Sequence, residues 1–161
     1  MPLNRNNPYY LTVQVNEPGQ GAGVMNTGFD GITLDSGESY DVSLYARRDG
    51  HGDTAITAAL ELEDGTVCGS VHFDGIGNVW RKYEGVITSV KTTENARLVL
   101  TTTDRVTLHF DMVSLFPQKT FKGRKNGMRA DLAQALADLD PKFFRFPGGC
   151  IVHGHGLVNA Y

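Results

Sequence analysis

The chain has 161 residues, 40% of them hydrophobic and 20% charged, and a net charge of −3. That balance suits a soluble globular protein with room for one domain and a piece of another, and it gives no support to nucleic-acid or anionic-membrane partners. No stretch approaches the roughly 18 apolar residues of a membrane span, MPLNRNNPYY lacks the apolar run of a signal peptide, and two cysteines, Cys68 and Cys150, are too few for a disulfide framework and read as unpaired thiols.

In chain order, PYYLTVQVN (8–16) alternates, with Leu11, Val13 and Val15 on one face and Tyr10, Thr12 and Gln14 on the other. Tyr9 or Tyr10 is expected to cap the core. PGQGAG (18–23) reads as a turn, and GVMNTGFDGITL as short apolar pieces broken by Gly28 and Gly31. In ESYDVSLYARRD, Tyr40, Val42, Leu44 and Ala46 point one way, and Asp41, Ser43, Tyr45 and Arg47 the other. Residues 54–63 put Ile56, Ala58, Leu60 and Leu62 on one face. Asp64-Gly65 marks a two-residue hairpin turn, and the return strand sets Val67, Val71 and Phe73 together. WRKYEGVITSV and ARLVLTTTD supply further strands, and no proline interrupts pairing between Pro18 and Pro117.

The stretch RVTLHFDMVSLFP (105–117) is the hinge of this reading. Val106, Leu108, Phe110 and Met112 alternate with Thr107, His109 and Asp111, and the phase changes after Asp111, as a bulge or burial on both faces would require. Pro117 then stops ladder pairing. Seven or eight short strands at roughly ten-residue spacing predict a mainly β fold, an antiparallel β-sandwich or barrel closing near residue 116. Beyond it, QKTFKGRKNG is basic and loop-like. MRADLAQALADL places Met128, Leu132, Ala135, Leu136 and Leu139 at helical spacing, Asp140-Pro141 ends that helix, and Phe143 to Phe146 reads as a short, buried orphan strand.

At FDMVSLFP, TFKGRKNG and FRFPGGC the sequence resembles the glycoside hydrolase family 51 α-L-arabinofuranosidases that carry an inserted carbohydrate-binding domain, over residues 110–150. Residues 8–116, through WRKYEGVI and ARLVL, resemble the jelly rolls of carbohydrate-binding modules of families 4, 9 and 22. The resemblance implies two parts. Residues 8–117 would be a carbohydrate-binding-module-like β-sandwich. Residues 118–161 would be the linker, helix and strand remnant of a (β/α) barrel hydrolase domain.

The implied function is a non-catalytic module of an arabinofuranosidase-type hydrolase that binds plant cell-wall polysaccharide (xylan, arabinoxylan or β-glucan), with the parent catalytic domain as its partner. The implied setting is a bacterium, secreted or periplasmic. Two alternatives stay open: a fragment with arabinofuranosidase activity, and a purely structural accessory domain. The family's two glutamates have no matching position here, so no catalytic residue is assigned, although retaining hydrolysis needs two facing carboxylates about 5 Å apart. His153 and Val158 stand where the family pattern has glutamates.

Sugar-binding sandwiches use a sheet face carrying aromatics, which cover the C–H face of a pyranose, and polar groups, which hold its hydroxyls. The polar strand faces offer Tyr45, Arg47, Glu61, His72, Thr101 and His109 for this, set against the ordinary solvated face of an antiparallel sheet. Trp80 is either a stacking platform or edge packing. The resemblance makes Asp111 a calcium ligand or a hydrogen-bond anchor; calcium is the one cofactor in view, and it needs six to eight oxygens. His153-Gly154-His155 lacks a third metal ligand and reads as a tail, with Cys150 nearby. Residues 127–147 carry enough apolar surface to predict docking on the sandwich or pairing with a second copy as a homodimer.

Overall fold

The computed structural model describes residues 1–145. Nine strands precede one short helix: β1 (Leu11–Val15), β2 (Ala22–Asn26), β3 (Ile32–Leu34), β4 (Ser39–Arg48), β5 (Thr54–Glu61), β6 (Val67–Ile76), β7 (Arg81–Thr88), β8 (Thr93–Thr102) and β9 (Val106–Pro117). A 3₁₀ turn at Phe121–Gly123 and α1 (Ala130–Asp138) follow. One sheet has the order β1-β9-β4-β7; the other runs β2-β8-β5-β6, with β3 also pairing with β8. All named pairings are antiparallel. Successive strands from β6 onward alternate between the sheets, so the fold is the expected antiparallel sandwich of jelly-roll type.

The pattern of alternation explains the packing. Tyr40, Val42, Leu44 and Ala46 of β4 are buried between the sheets, as are Ile56, Ala58 and Leu60 of β5, Leu98 and Leu100 of β8, and Val106, Leu108 and Phe110 of β9. Opposing apolar faces of this kind form the single core that stabilises a two-layer domain. The phase change in β9 is a bulge. Ser43 pairs with Ser114 and Tyr45 with Asp111, so Leu44 alone faces Met112 and Val113. Met112 sits there at a φ of 49°.

The β5–β6 hairpin corrects one expectation. Gly65 N–H donates to Leu62 O at 3.0 Å and Leu62 N–H to Thr66 O at 2.9 Å, which closes a loop of Glu63, Asp64 and Gly65 rather than a two-residue turn. Gly65 takes the left-handed conformation this loop requires, at φ 83°. The pairing then slips between Leu60 and Glu61, opposite Gly69 and Val67. The slip turns Cys68 into the core and leaves Val67 exposed, because one extra residue reverses which side chains face inward. Cys68 is a buried free thiol.

The N-terminal tyrosines also differ from expectation. Tyr9 is exposed, and Tyr10 packs on the outer surface of the first sheet against Trp80 and His109 rather than capping the core.

After Pro117 the chain turns toward β4, with Gln118 N–H donating to Ser39 O at 2.9 Å. Thr120 bridges to Arg129 and Phe121 N–H bonds to Met128 O, which gathers the basic linker into a closed loop. The helix forms where its spacing placed it, but its apolar stripe is not buried. Leu132, Leu136 and Leu139 are exposed, and Ala133 is its one buried residue. Among the described residues, the apolar stripe of α1 is thus not seated on the sandwich, although Arg129, Ala130 and Asp131 border it beside Tyr40 and Leu115. Phe143 and Phe144 are exposed and residues 143–145 belong to no strand, so the described part of the expected orphan strand is neither buried nor paired; Phe146 lies outside the described residues. Among the described residues, no helix is long and apolar enough to cross a membrane.

Candidate functional site

The sandwich divides the candidate residues between two opposite faces. Tyr45 and Arg47 of β4 and His109 and Asp111 of β9 lie on the outer face of the first sheet, where Tyr45 pairs with Asp111 and Arg47 with His109. Glu61, His72 and Thr101 lie on the outer face of the second sheet. There Thr57 stands between His72 and Thr101 on the ladder, and Glu61 faces Arg97. No single ligand surface contains all seven.

On the second sheet the named groups are engaged with one another. Arg97 donates to Glu61 Oε1 from Nε at 3.0 Å and Nη2 at 2.8 Å. His72 Nδ1 lies 3.0 Å from Thr57 Oγ1, and its Nε2 lies 3.2 Å from Asp74 Oδ1. The residues paired across this face, Ala59 with Ser70 and Val99 among them, include no Trp, Tyr or Phe.

One end of the first sheet carries a packed knot. The Arg47 guanidinium sits 5.4 Å from the Trp80 ring centre and 5.7 Å from that of Tyr10. Tyr10 meets Trp80 edge-on at 5.5 Å and His109 at 5.3 Å. Trp80 Nε1 donates to the Met1 carbonyl at 2.9 Å. Of the two roles open to Trp80, stacking platform or edge packing, these contacts support packing, with Arg47 over the ring.

His109 is buried, with Nδ1 at 3.0 Å from Thr12 Oγ1. Its Nε2 comes within 2.9 Å of Asp49 Oδ1, a close ion-pair contact that lacks the alignment of a hydrogen bond. Arg47 Nη1 donates to the same Asp49 oxygen at 2.8 Å. His109 first, then Arg47, holds the Asp49 carboxyl below its ordinary range. Arg47 and His109 thus both approach Asp49, while Arg47 Nε and His109 Nε2 stay buried without a hydrogen-bond partner.

Asp111, expected as a calcium ligand or a hydrogen-bond anchor, has one of its oxygens engaged locally. Its Oδ1 accepts the Met112 N–H at 2.8 Å, which pins the bulge. Among the described residues, no group of three His, Cys, Asp or Glu side chains comes together to hold a metal. His153, His155 and Cys150 lie outside the described residues, and Arg145 is exposed.

The rest of the same face opens into a groove of about 340 Å³ between β7, β4, β9 and the linker. Asp41, Ser43, Lys82, Glu84, Ser114 and Phe116 line it, with Lys125 and Asn126 at its rim from the linker. Lys82 Nζ donates to Glu84 Oε1 at 2.8 Å, Gln118 Nε2 donates to Asp41 Oδ1 at 2.7 Å, and the Ser43 and Ser114 hydroxyls meet at 2.9 Å. Tyr45 stands next along β4, opposite Lys82, and is half-buried.

The alternation of β4 already put Asp41 and Ser43 on the side of Tyr45, so part of this groove was open to sequence reasoning. Nothing in the sequence marks Lys125 or Asn126, which arrive through the folding-back of the linker. The Lys82 ammonium holds the Glu84 carboxyl below its usual range. A glycosidase acid needs the opposite shift.

The fold defines a class. Over 67% of this chain and 82% of the other, the sandwich superposes on a solved family 4 carbohydrate-binding module with a TM-score of 0.54 at 16% identity. At the same TM-score of 0.54 and 21% identity it superposes on part of a chain of Clostridium thermocellum xylanase 10B that joins a family 22 carbohydrate-binding module to a family 10 glycoside hydrolase module, complexed with xylohexaose, covering 71% of this chain and 23% of that one. At those identities the likeness is one of fold alone.

Sequence relatives are more particular, and they are α-L-arabinofuranosidases. The chain is 40% identical over 152 residues to the extracellular exo-α-L-arabinofuranosidase of Streptomyces chartreusis, covering 94% of this chain and 17% of that protein. It is 38% identical over 146 residues to α-L-arabinofuranosidase 1 of Arabidopsis thaliana, covering 89% of this chain and 21% of that protein. The solved arabinose-bound MgGH51 α-L-arabinofuranosidase matches 100% of this chain with a TM-score of 0.86 at 31% identity, using 27% of its own length. No protein-family model matches the chain. The chain spans about a fifth of the length of these curated relatives.

Proposed function

We propose that this chain is the accessory sandwich and the first barrel segment of a family 51 α-L-arabinofuranosidase-type glycoside hydrolase. The division falls between residues 8–117 and 118–161, and the sandwich is a non-catalytic module that binds plant cell-wall polysaccharide such as xylan, arabinoxylan or β-glucan. The setting that goes with this reading is bacterial, secreted or periplasmic, with the parent catalytic domain as partner. The observation that carries the binding reading is the groove on the outer face of the first sheet. It offers hydroxyl, amide, ammonium and carboxylate groups in a row beside Tyr45 and Phe116. Such a surface suits a chain of pyranoses, whose C–H faces lie on aromatic rings while their hydroxyls exchange hydrogen bonds with water for bonds with the protein.

Affinity electrophoresis against a panel of soluble polysaccharides tests this. Retardation by at least one xylan, arabinoxylan or β-glucan is expected, with modest affinity. Tyr45→Ala should abolish it without lowering the melting temperature by more than a few degrees. Absence of retardation by every polysaccharide removes the binding reading.

One observation favours a bracing role instead: Trp80, Tyr10 and Arg47 are consumed by packing on one another, which leaves Tyr45 as the main free ring of that face. The same experiment decides between the two.

A further inference from the structure

The linker that follows β9 is a tightly closed loop. Gln118 N–H donates to Ser39 O at 2.9 Å and the Gln118 amide to Asp41 Oδ1 at 2.7 Å, which ties the start of the loop to β4. Lys119 Nζ adds a bond to Glu38 Oε1 at 3.1 Å. Thr120 is buried, and its hydroxyl donates to the Arg124 carbonyl. At the far end, Phe121 N–H donates to Met128 O and Gly127 N–H to Arg124 O, each at 2.9 Å. Lys122, Gly123 and Asn126 take the left-handed conformation, at φ 57°, 62° and 52°, and so reverse the chain within a few residues. Gly127 has no room for a side chain: a Cβ there would lie 2.7 Å from Arg124 O and 3.0 Å from Thr120 Cβ.

This loop extends the groove beyond the sheet. A second hollow of about 310 Å³ adjoins it, shares Asp41, Lys125 and Asn126 with it, and adds Gln118, Gly123 and Arg124. On the sheet side, Lys82 is bonded to Glu84 and Asp41 to Gln118. Among the described residues, no carboxylate comes within ion-pair distance of Arg124 or Lys125.

We propose that residues 118–127 carry a second subsite for the polysaccharide, so that a glycan lying in the sheet groove runs on over the linker. Lys125 and Asn126, common to both hollows, hold it there. An ammonium donates to hydroxyl oxygens, and a side-chain amide donates to one hydroxyl while accepting from another. The proposal rests on the sugar-binding reading of the groove and assigns to the linker a part in it. Because the ligand would touch sheet and loop together, binding and the closed form of the loop favour each other by the same factor.

Affinity electrophoresis of the full 161-residue chain in soluble arabinoxylan, xylan and mixed-linkage β-glucan tests it. The native chain should be retarded by at least one of them. The double variant Lys125→Ala/Asn126→Ala should bind that polysaccharide about tenfold more weakly, as the loss of two hydrogen-bonding side chains implies. Gly127→Ala should weaken binding in the same direction by forcing the loop open. Both variants should melt within a few degrees of the native chain, since the loop lies outside the core. Lys91→Ala, which removes an ammonium that lines neither hollow, should bind as the native chain does. The bound polysaccharide should also slow trypsin cleavage after Lys122 and Arg124 in the native chain but not in the double variant. Equal retardation of the native and double-variant chains, or equal protection of their linkers, overturns the subsite and leaves the sheet groove standing. A native chain that no polysaccharide retards removes both.

Discussion

Asp49 shows how a buried imidazole is accommodated on the surface of a sheet. His109 contributes its ring to packing against Tyr10, Thr12 meets one nitrogen, and the other nitrogen is left facing the carboxylate of a loop residue. The folded Asp49 binds its proton less tightly than the unfolded chain does. The unfolded state therefore takes up more protons in acid. This contribution to stability is complete above about pH 4 and is lost as pH falls through the depressed folded value. Comparing urea midpoints of the native chain and Asp49→Asn from about pH 5 to about pH 2 should show the acid loss to be shallower in the variant. Equal slopes would mean that the Asp49 contact contributes nothing. The sequence placed Arg47 and His109 each on the polar side of its own strand; it could not show that those strands pair, or that Asp49, from the loop after β4, would approach both.

At the scale of elements, the corner where β6 meets β7 depends on a missing side chain. A Cβ on Gly85 would lie 2.8 Å from Val71 Cγ2 and 3.1 Å from the Phe73 ring. Gly85→Ala should destabilise the fold by about 1–3 kcal/mol through overpacking, read from chemical denaturation. Leu44, fully buried in β4, is the converse case: Leu44→Ala should cost about 2–5 kcal/mol by leaving a cavity between the sheets. Strands such as β4 were legible because one buried face imposes a period of two. The slip at Cys68 was not legible, since an extra residue in a hairpin is fixed by the loop's hydrogen bonds rather than by hydrophobic order. The stripe of α1 shows the limit from the other side. Its spacing correctly gave a helix, yet spacing cannot say whether anything covers the apolar face.

For the whole molecule, the sandwich and the segment after Pro117 stand in contrast. The first has two apposed apolar faces; the second leaves Met128, Leu132, Leu139, Phe143 and Phe144 exposed. Brief trypsin treatment should cut the exposed linker after Lys122, Arg124 or Lys125 and leave a fragment that melts as the intact chain does. A protected linker would mean that the helix is held by contacts absent here. Purified chain incubated with an aryl arabinofuranoside should give no turnover: the groove's two carboxylates, Glu84 and Asp41, are engaged by Lys82 and Gln118, and Lys82 shifts Glu84 in the direction opposite to that of a catalytic acid.

By itself the sequence determined most of the strands, the buried faces of β4, β5 and the first half of β9, the strand end at Pro117 and the kinship with arabinofuranosidases, because periodicity, proline and motif are local properties of a chain. Tertiary structure alone decided that Glu61, His72 and Thr101 lie on the opposite side of the molecule from Tyr45, Arg47 and His109. It also decided that Trp80 is packed by Arg47 and hydrogen-bonded to Met1. A polar position in a strand is known to face outward, but which of two sheets it faces out from depends on which strands pair, and pairing joins residues far apart in sequence.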